Sequence, residues 1–195
     1  MPRIKVMVGD SADTSRRNLK DILGRLGYQV VADATSVPDL LRKTRMILPN
    51  LVVLDTNLTG GNALEAARIV EEDDLSSVLL LVSSLDHPEI RDFHYCLKPF
   101  SEGSLIAMID AALLYRKRVR ALRKELNKVR EALDSRKVVE KAKGILMRLL
   151  DTDEEQAYRL MQKQSMNRGI PMKDIANAII LAHEVGRDKD ILKGE

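Results

Sequence analysis

Aromatic residues are scarce in this sequence: Phe, Tyr and Trp make up 3% of 195 residues, and Trp is absent. Stacking on nucleobases is therefore not the main means of recognition available to it. A single cysteine, Cys96, excludes an internal disulfide and a metal site built from thiolates alone. Three scattered histidines give zinc chemistry little to work with. No apolar run approaches the roughly 20 residues that span a bilayer, and Met1-Pro2-Arg3-Ile4 leads into a strand-like run without a signal-peptide core. The expectation is a cytoplasmic protein with no membrane partner.

What is present is an aliphatic core and a cancelled charge. Apolar residues reach 45% and charged residues 31%, with a net charge of +3. Residues 116–148 alone hold 13 Lys and Arg against 4 Asp and Glu, while residues 1–100 hold 12 against 14. One basic stretch in a near-neutral chain points to a polyanionic partner or to a solvated helix face.

The first hundred residues alternate short β-branched runs with helix-period segments, which predicts βαβ units and a parallel sheet. Strand-like runs are residues 4–8, 29–31, 51–54, 78–82 and 95–97, with helices expected at about 14–26, 37–46 and 63–72 and with Ser36 and Asn62 as N-caps. Asp10, Asp55, Ser83 and Lys98 each fall just past a strand end, where such sheets bind ligands. Together they make chemical sense as an acyl-phosphate site. Asp55 would be the nucleophile and phosphoacceptor, Asp10 would help hold a hard cation, Ser83 would orient a phosphoryl oxygen and Lys98 would neutralise it. The plainer alternative is polar residues at strand ends.

Leu54-Asp55, Val82-Ser83-Ser84 and Lys98-Pro99-Phe100 at three strand ends resemble the receiver domain of bacterial response regulators over about residues 3–115. The resemblance implies a flavodoxin-like (CheY-like) doubly wound five-stranded α/β fold, Mg2+ held by Asp10 and Asp55, a switch aromatic at Tyr95, and a sensor histidine kinase as partner. Three departures stand out. Ser11 occupies the place of a second acid, which weakens Mg2+ binding, and the loop after Asp55 lacks the Pro usual there. Only 14 residues separate Ser83 from Lys98, so the fourth helix is expected to be truncated or missing. A degenerate receiver stands level with a working one.

From Ser101 an apolar series at Met108, Ala112, Tyr115, Val119, Leu122, Leu126, Val129 and Leu133 steps by four and three. This heptad seam predicts one long helix with a coiled-coil linker over 116–134. Its partner is a second copy in a parallel homodimer or the chain's own C-terminal helices. Basic residues up to Arg130 are assigned to coiled-coil flanks.

Residues 135–195 are expected to form a three-helix module. Thr152-Asp153-Glu154-Glu155 reads as a capping box, Gly169 and Pro171 separate the last two helices, and the third runs to about His183. Apolar faces Val138/Ile145/Leu149, Ala157/Leu160/Met161 and Ile175/Ala178/Ile179 would form a thin core. Lys141 to Met147, then Glu155-Gln156-Ala157-Tyr158, then Ser165-Met166-Asn167, resemble the ANTAR domain in order and spacing. That resemblance implies binding of RNA hairpins in nascent transcripts and transcription antitermination.

Arg136, Lys137, Lys141, Lys143 and Arg148 form a cationic ridge suited to phosphates. Gly144, costing about 1 kcal/mol in a helix interior, suggests close approach by RNA or a neighbouring helix. Tyr158 either stacks on an unpaired base or packs in the bundle. The expected function is a response regulator that binds RNA hairpins and promotes antitermination, with no enzymatic activity. The alternative is a non-phosphorylated pseudo-receiver scaffold acting through protein contacts or ligand-controlled dimerisation. DNA binding is disfavoured because no recognition helix rich in basic and amide residues stands out.

Overall fold

Five short strands carry the apolar runs of the first hundred residues: β1 (Lys5–Gly9), β2 (Gln29–Ala34), β3 (Leu51–Asp55), β4 (Ser77–Val82) and β5 (His94–Leu97). The computed structural model describes residues 3–191, with side chains to residue 185. All pairings are parallel, in the order β2-β1-β3-β4-β5, which is the flavodoxin-like winding. β3 and β4 are buried along their whole length, because a parallel sheet is covered on both faces and its central strands are apolar throughout. The chain divides into two compact units, Met1–Arg120 and Ala121–Glu195.

In the first unit, side chains alternate between two cores, as the two-residue period of a strand requires. Met7, Val52, Leu54, Leu80 and Val82 meet α2 (Val37–Ile47) and α3 (Ala63–Glu72) through Leu40, Ala66, Ala67 and Val70. Val6, Val8, Val53, Leu79 and Leu81 meet α1 (Asp13–Arg25) through Leu19 and Leu23, and the start of α4 (Glu102–Leu150) through Leu105, Ile109 and Ala112. A Cβ at Gly9 would lie 2.5 Å from Leu40 Cδ1, so a larger residue there would displace that buried side chain.

Asn62 caps α3 as expected, its Oδ1 accepting from the Leu64 and Glu65 amides at 2.9 and 3.3 Å. Ser36 makes no side-chain cap; the Val37 amide donates instead to the Thr59 carbonyl at 2.9 Å. Between β4 and β5 there is only a 3-10 turn, Pro88–Asp92, anchored by buried Ile90. The truncation expected from the short connection is present.

The seam differs from expectation at its start. Met108 and Ala112 pack into the first unit's core, so the exposed series begins at Tyr115 and continues through Leu122, Leu126, Val129 and Leu133, each about half exposed or more. The first turns of α4 cover the sheet, and only later turns are left without apolar cover. Arg116 and Arg120 also leave the role of coiled-coil flanks. Both converge on Asp74, with Arg120 Nε at 2.9 Å from Oδ2 and Arg116 Nε at 3.2 Å from Oδ1.

In the second unit the last turns of α4 meet α5 (Glu154–Arg168) and α6 (Met172–Ile191). The core is small: Ala142, Met161, Ile175 and Ala176, with Val138, Val139, Leu146 and Ile179 packed against it, while Ile145 and Ala157 are buried alongside. Leu149, Leu160 and Ala178, expected inside, are exposed. The cap of α5 is Asp153, whose Oδ1 accepts from the Gln156 amide at 2.7 Å, with Thr152 Oγ1 bonded to the Gln156 side chain. Gly169 closes the helix at φ 64°, a left-handed conformation that favours glycine. α6 extends beyond the expected His183 to Ile191; residues 192–195 of the expected module lie outside the described residues.

Candidate acidic site and nucleic-acid interface

The sheet register assembles the acidic site. Gly9 pairs with Leu54, Asp55 with Leu81 and Val82 with Leu97, so Asp10, Asp55, Ser83 and Lys98 emerge at adjacent strand ends. Asp10 and Asp55 are buried at 3% and 4% exposure. Asp55 Oδ1 accepts from the Asn57 amide at 2.9 Å, and Oδ2 is ion-paired with Lys98 Nζ. The pair is close, so Lys98 supplies the neutralising charge beside the carboxylate proposed as nucleophile.

Asp10 Oδ1 accepts from the Ala12 amide at 2.8 Å. Its Oδ2 is buried without a hydrogen-bond partner. An orphaned carboxylate oxygen beside a second carboxylate suits a hard cation, which takes oxygen ligands. Ser11 is exposed and spends its hydroxyl on the Asn57 carbonyl at 3.3 Å, so it adds no charge. Among the described residues no three His, Cys, Asp or Glu side chains cluster as a metal site. The residues thus fit a divalent cation through two carboxylates, one of them shared with Lys98. Ser83 is exposed, and Tyr95 is half-buried against the core on the α2 and α3 face.

Arg16 was not singled out from the sequence as part of this site. Its guanidinium donates to the Asp10 carbonyl at 3.0 Å, to Asp33 Oδ2 at 2.8 Å and to Asp13 Oδ1 at 2.7 Å, tying the loop that carries Asp10 to α1 and β2. These partners lie 3, 6 and 17 residues from Arg16, and such spacing gives no sequence sign of which groups it will join.

The basic residues of the second unit do not behave alike. Arg136, Lys137 and Arg148 are exposed and make no ion pair among the described residues. Lys141 is exposed and pairs with Glu184 on α6 at 2.9 Å. Lys143 turns inward: its side chain is 8% exposed and its ammonium lies 2.8 Å from Glu140 and 2.6 Å from Glu154. The hydrogen bonds that Lys143 donates to Glu140 and then to Glu154 raise its pKa, and Lys143 in turn lowers that of Glu154. The expected open ridge is therefore interrupted at Lys143, which ties α4 to the start of α5.

Gly144 is half-buried, yet no atom outside its own helix lies within 4 Å of where its Cβ would be. Among the described residues no neighbouring helix needs its small size. Tyr158 is 42% exposed, which leaves both base stacking and packing at the edge of the bundle open to it.

Residues 127–180 match the ANTAR domain family. Over nearly the whole chain the sequence is similar to the transcriptional regulatory protein PdtaR of Mycobacterium tuberculosis, at 26% identity covering 97% of this chain and 94% of that one. It is 30% identical to the nitrate regulatory protein of Klebsiella oxytoca over 64% of this chain and 33% of that protein. The signal receiver domain of a modulated diguanylate cyclase from Desulfovibrio desulfuricans G20 superposes with a TM-score of 0.54 at 20% identity, covering 58% of this chain and 95% of that domain. A LuxR-family response regulator from Aurantimonas sp. SI85-9A1 gives 0.53 at 25% identity, covering 58% of this chain and 87% of that one.

Proposed function

We propose that the chain is a response regulator joining a receiver to an ANTAR domain, with no enzymatic activity of its own, and that it binds RNA hairpins and promotes transcription antitermination. The observation that carries this reading is one chain holding both a buried Asp55 paired with Lys98 and a module with exposed Arg136, Lys137 and Arg148 that make no ion pair among the described residues. In this reading residues 1–115 are the receiver, 116–134 the linker and 135–195 the RNA module. No helix among the described residues is long and apolar enough to cross a membrane.

The receiver's part is to accept a phosphoryl group on Asp55, from a sensor histidine kinase or a small acyl phosphate. An oxygen of Asp55 attacks phosphorus, the leaving carboxylate or imidazole departs, and Lys98 stays beside the new charge. Asp10 and Asp55 would hold Mg2+, which shields the phosphoryl oxygens from the carboxylate that attacks them. Ser11 in place of a second acid makes that cation weakly held and favours the second reading, a receiver that responds to a partner or ligand without phosphorylation. Acetyl phosphate with Mg2+, followed by intact mass, separates the two: a gain of one phosphoryl group that is lost in Asp55→Asn supports the first, and an unmodified chain under forcing conditions overturns it.

Dimerisation through the linker would present two modules to a transcript. Electrophoretic mobility shift with hairpin RNA tests the RNA reading itself. Arg136→Glu with Arg148→Glu is expected to abolish the shift; an unchanged shift would assign RNA contact elsewhere.

A further inference from the structure

The helix α5 is unusual in how little of it is used for folding. Of its 15 residues only Ala157 and Met161 are buried, with Ser165 partly so. Those three fall along one line at four-residue spacing. The opposite side carries Arg159, Gln162, Lys163, Met166 and Asn167, all exposed. From Gln156 to Lys173 the chain holds four cations, Arg159, Lys163, Arg168 and Lys173, and not one carboxylate. In the sequence the amide and basic side chains of α5 are interleaved with Leu160 and Met161, and the outward group separates only once the buried residues are known.

We propose that the outward face of α5 is the surface that reads unpaired RNA bases, while Arg136, Lys137 and Arg148 at the end of α4 hold phosphates. The inference rests on the hairpin-binding reading and deepens it. The amides of Gln162 and Asn167 can each donate and accept together, which is what a base edge requires. Lys163 and Arg159 supply charge beside them. The Arg159 guanidinium is engaged by Glu155, but Arg159 and Glu155 are 73% and 72% exposed, and a pair of that kind gives way to phosphate at little cost.

Met166 is 76% exposed in the middle of this polar face, an apolar and polarisable side chain with nothing of its own module to cover. A base laid flat on it would be flanked by Gln162 and, four residues from that, Tyr158 at the edge of the face. Single-stranded loops offer such splayed bases, whereas the edges of a duplex in A form are out of reach in its deep groove. The absence of carboxylates over this stretch favours a nucleic acid over a protein partner.

The test uses the full chain and a pool of RNA hairpins with a fixed stem and a randomised loop, selected by binding and sequenced. Wild type is expected to enrich a loop sequence. Gln162→Ala and Asn167→Ala are each expected to lose about tenfold of the discrimination at one or two loop positions, a larger loss for the enriched loop than for the unselected pool. Arg136→Ala and Arg148→Ala should lower affinity for the whole pool and leave the preferred loop as it was.

Wild-type loop preference in both α5 variants would overturn the assignment while leaving hairpin binding intact. Failure of wild type to enrich any loop would overturn both. Equal enrichment from the matching DNA pool would overturn the choice of RNA. All the substituted positions are exposed, and circular dichroism of each variant is expected to match wild type.

Discussion

Lys143 and Gly144 are neighbours with opposite environments, and each makes a separate prediction. Lys143 is clasped by Glu140 and Glu154, so its loss acts on stability. Lys143→Ala is expected to lower the melting temperature of the chain where Lys137→Ala does not. The pH dependence follows from the two shifts. Glu154, with its pKa lowered by Lys143, contributes above its unfolded pKa of about 4.3, and the contribution is lost as pH falls through the folded value. Lys143, with its pKa raised, contributes below about 10.4, and that is lost as pH rises through the folded value. The gap between wild type and Lys143→Ala should be flat from pH 6 to 9 and close in acid; a gap that persists at pH 3 would contradict the ion pairs. Gly144→Ala meets no atom outside its own helix and should stabilise the C-terminal unit by about 1 kcal/mol, read by thermal unfolding. Lys143 could not be placed from its spacing, because Glu154 begins a different helix, whereas Asp10 and Asp55 were legible because each ends an apolar run.

Among the elements, α4 carries two predictions. Its exposed Leu122, Leu126, Val129 and Leu133 are an apolar stripe at heptad spacing, which a second copy would cover. Leu126→Asp is expected to turn a dimer into a monomer by sedimentation equilibrium; a wild-type chain that is already monomeric at tens of micromolar would remove the dimer from the account. Nearer its start, α4 is tied to Asp74, a residue at φ 50° whose carboxylate and carbonyl accept from Arg116 and Arg120. Burial pushes the Asp74 pKa up, but the hydrogen bonds from Arg120 and Arg116 outweigh it and the net shift is downward. The contribution is therefore present above about pH 3.9 and lost as pH falls through the lower folded value. Asp74→Asn should destabilise the first unit at pH 7 by less than about 1 kcal/mol, since the side chain is 39% exposed, and the difference should vanish near pH 2. The five strands and the missing fourth helix could be read from apolar runs and a short connection. This clasp could not, because its partners lie 42 and 46 residues apart. The early seam residues were misplaced for a related reason: a heptad pattern looks the same whether a sheet or another helix covers it.

For the whole molecule, the net charge of +3 conceals where the free cations are. With Lys143 internally paired and Arg116 and Arg120 held by Asp74, a hairpin bound as proposed would meet Arg136, Lys137, Arg148 and the outward face of α5. Some three to five phosphate contacts predict a slope of log affinity against log salt of about −2 to −4, falling by about 0.7 for each cation removed. The account stands or falls on what RNA the protein holds in its host. Sequencing the RNA that co-purifies with wild type and with the Arg136→Glu, Arg148→Glu double variant measures this directly. The prediction is enrichment, in wild type alone, of transcript leaders that form a hairpin overlapping a terminator. The same RNA profile from both proteins, with no such leaders, would contradict it.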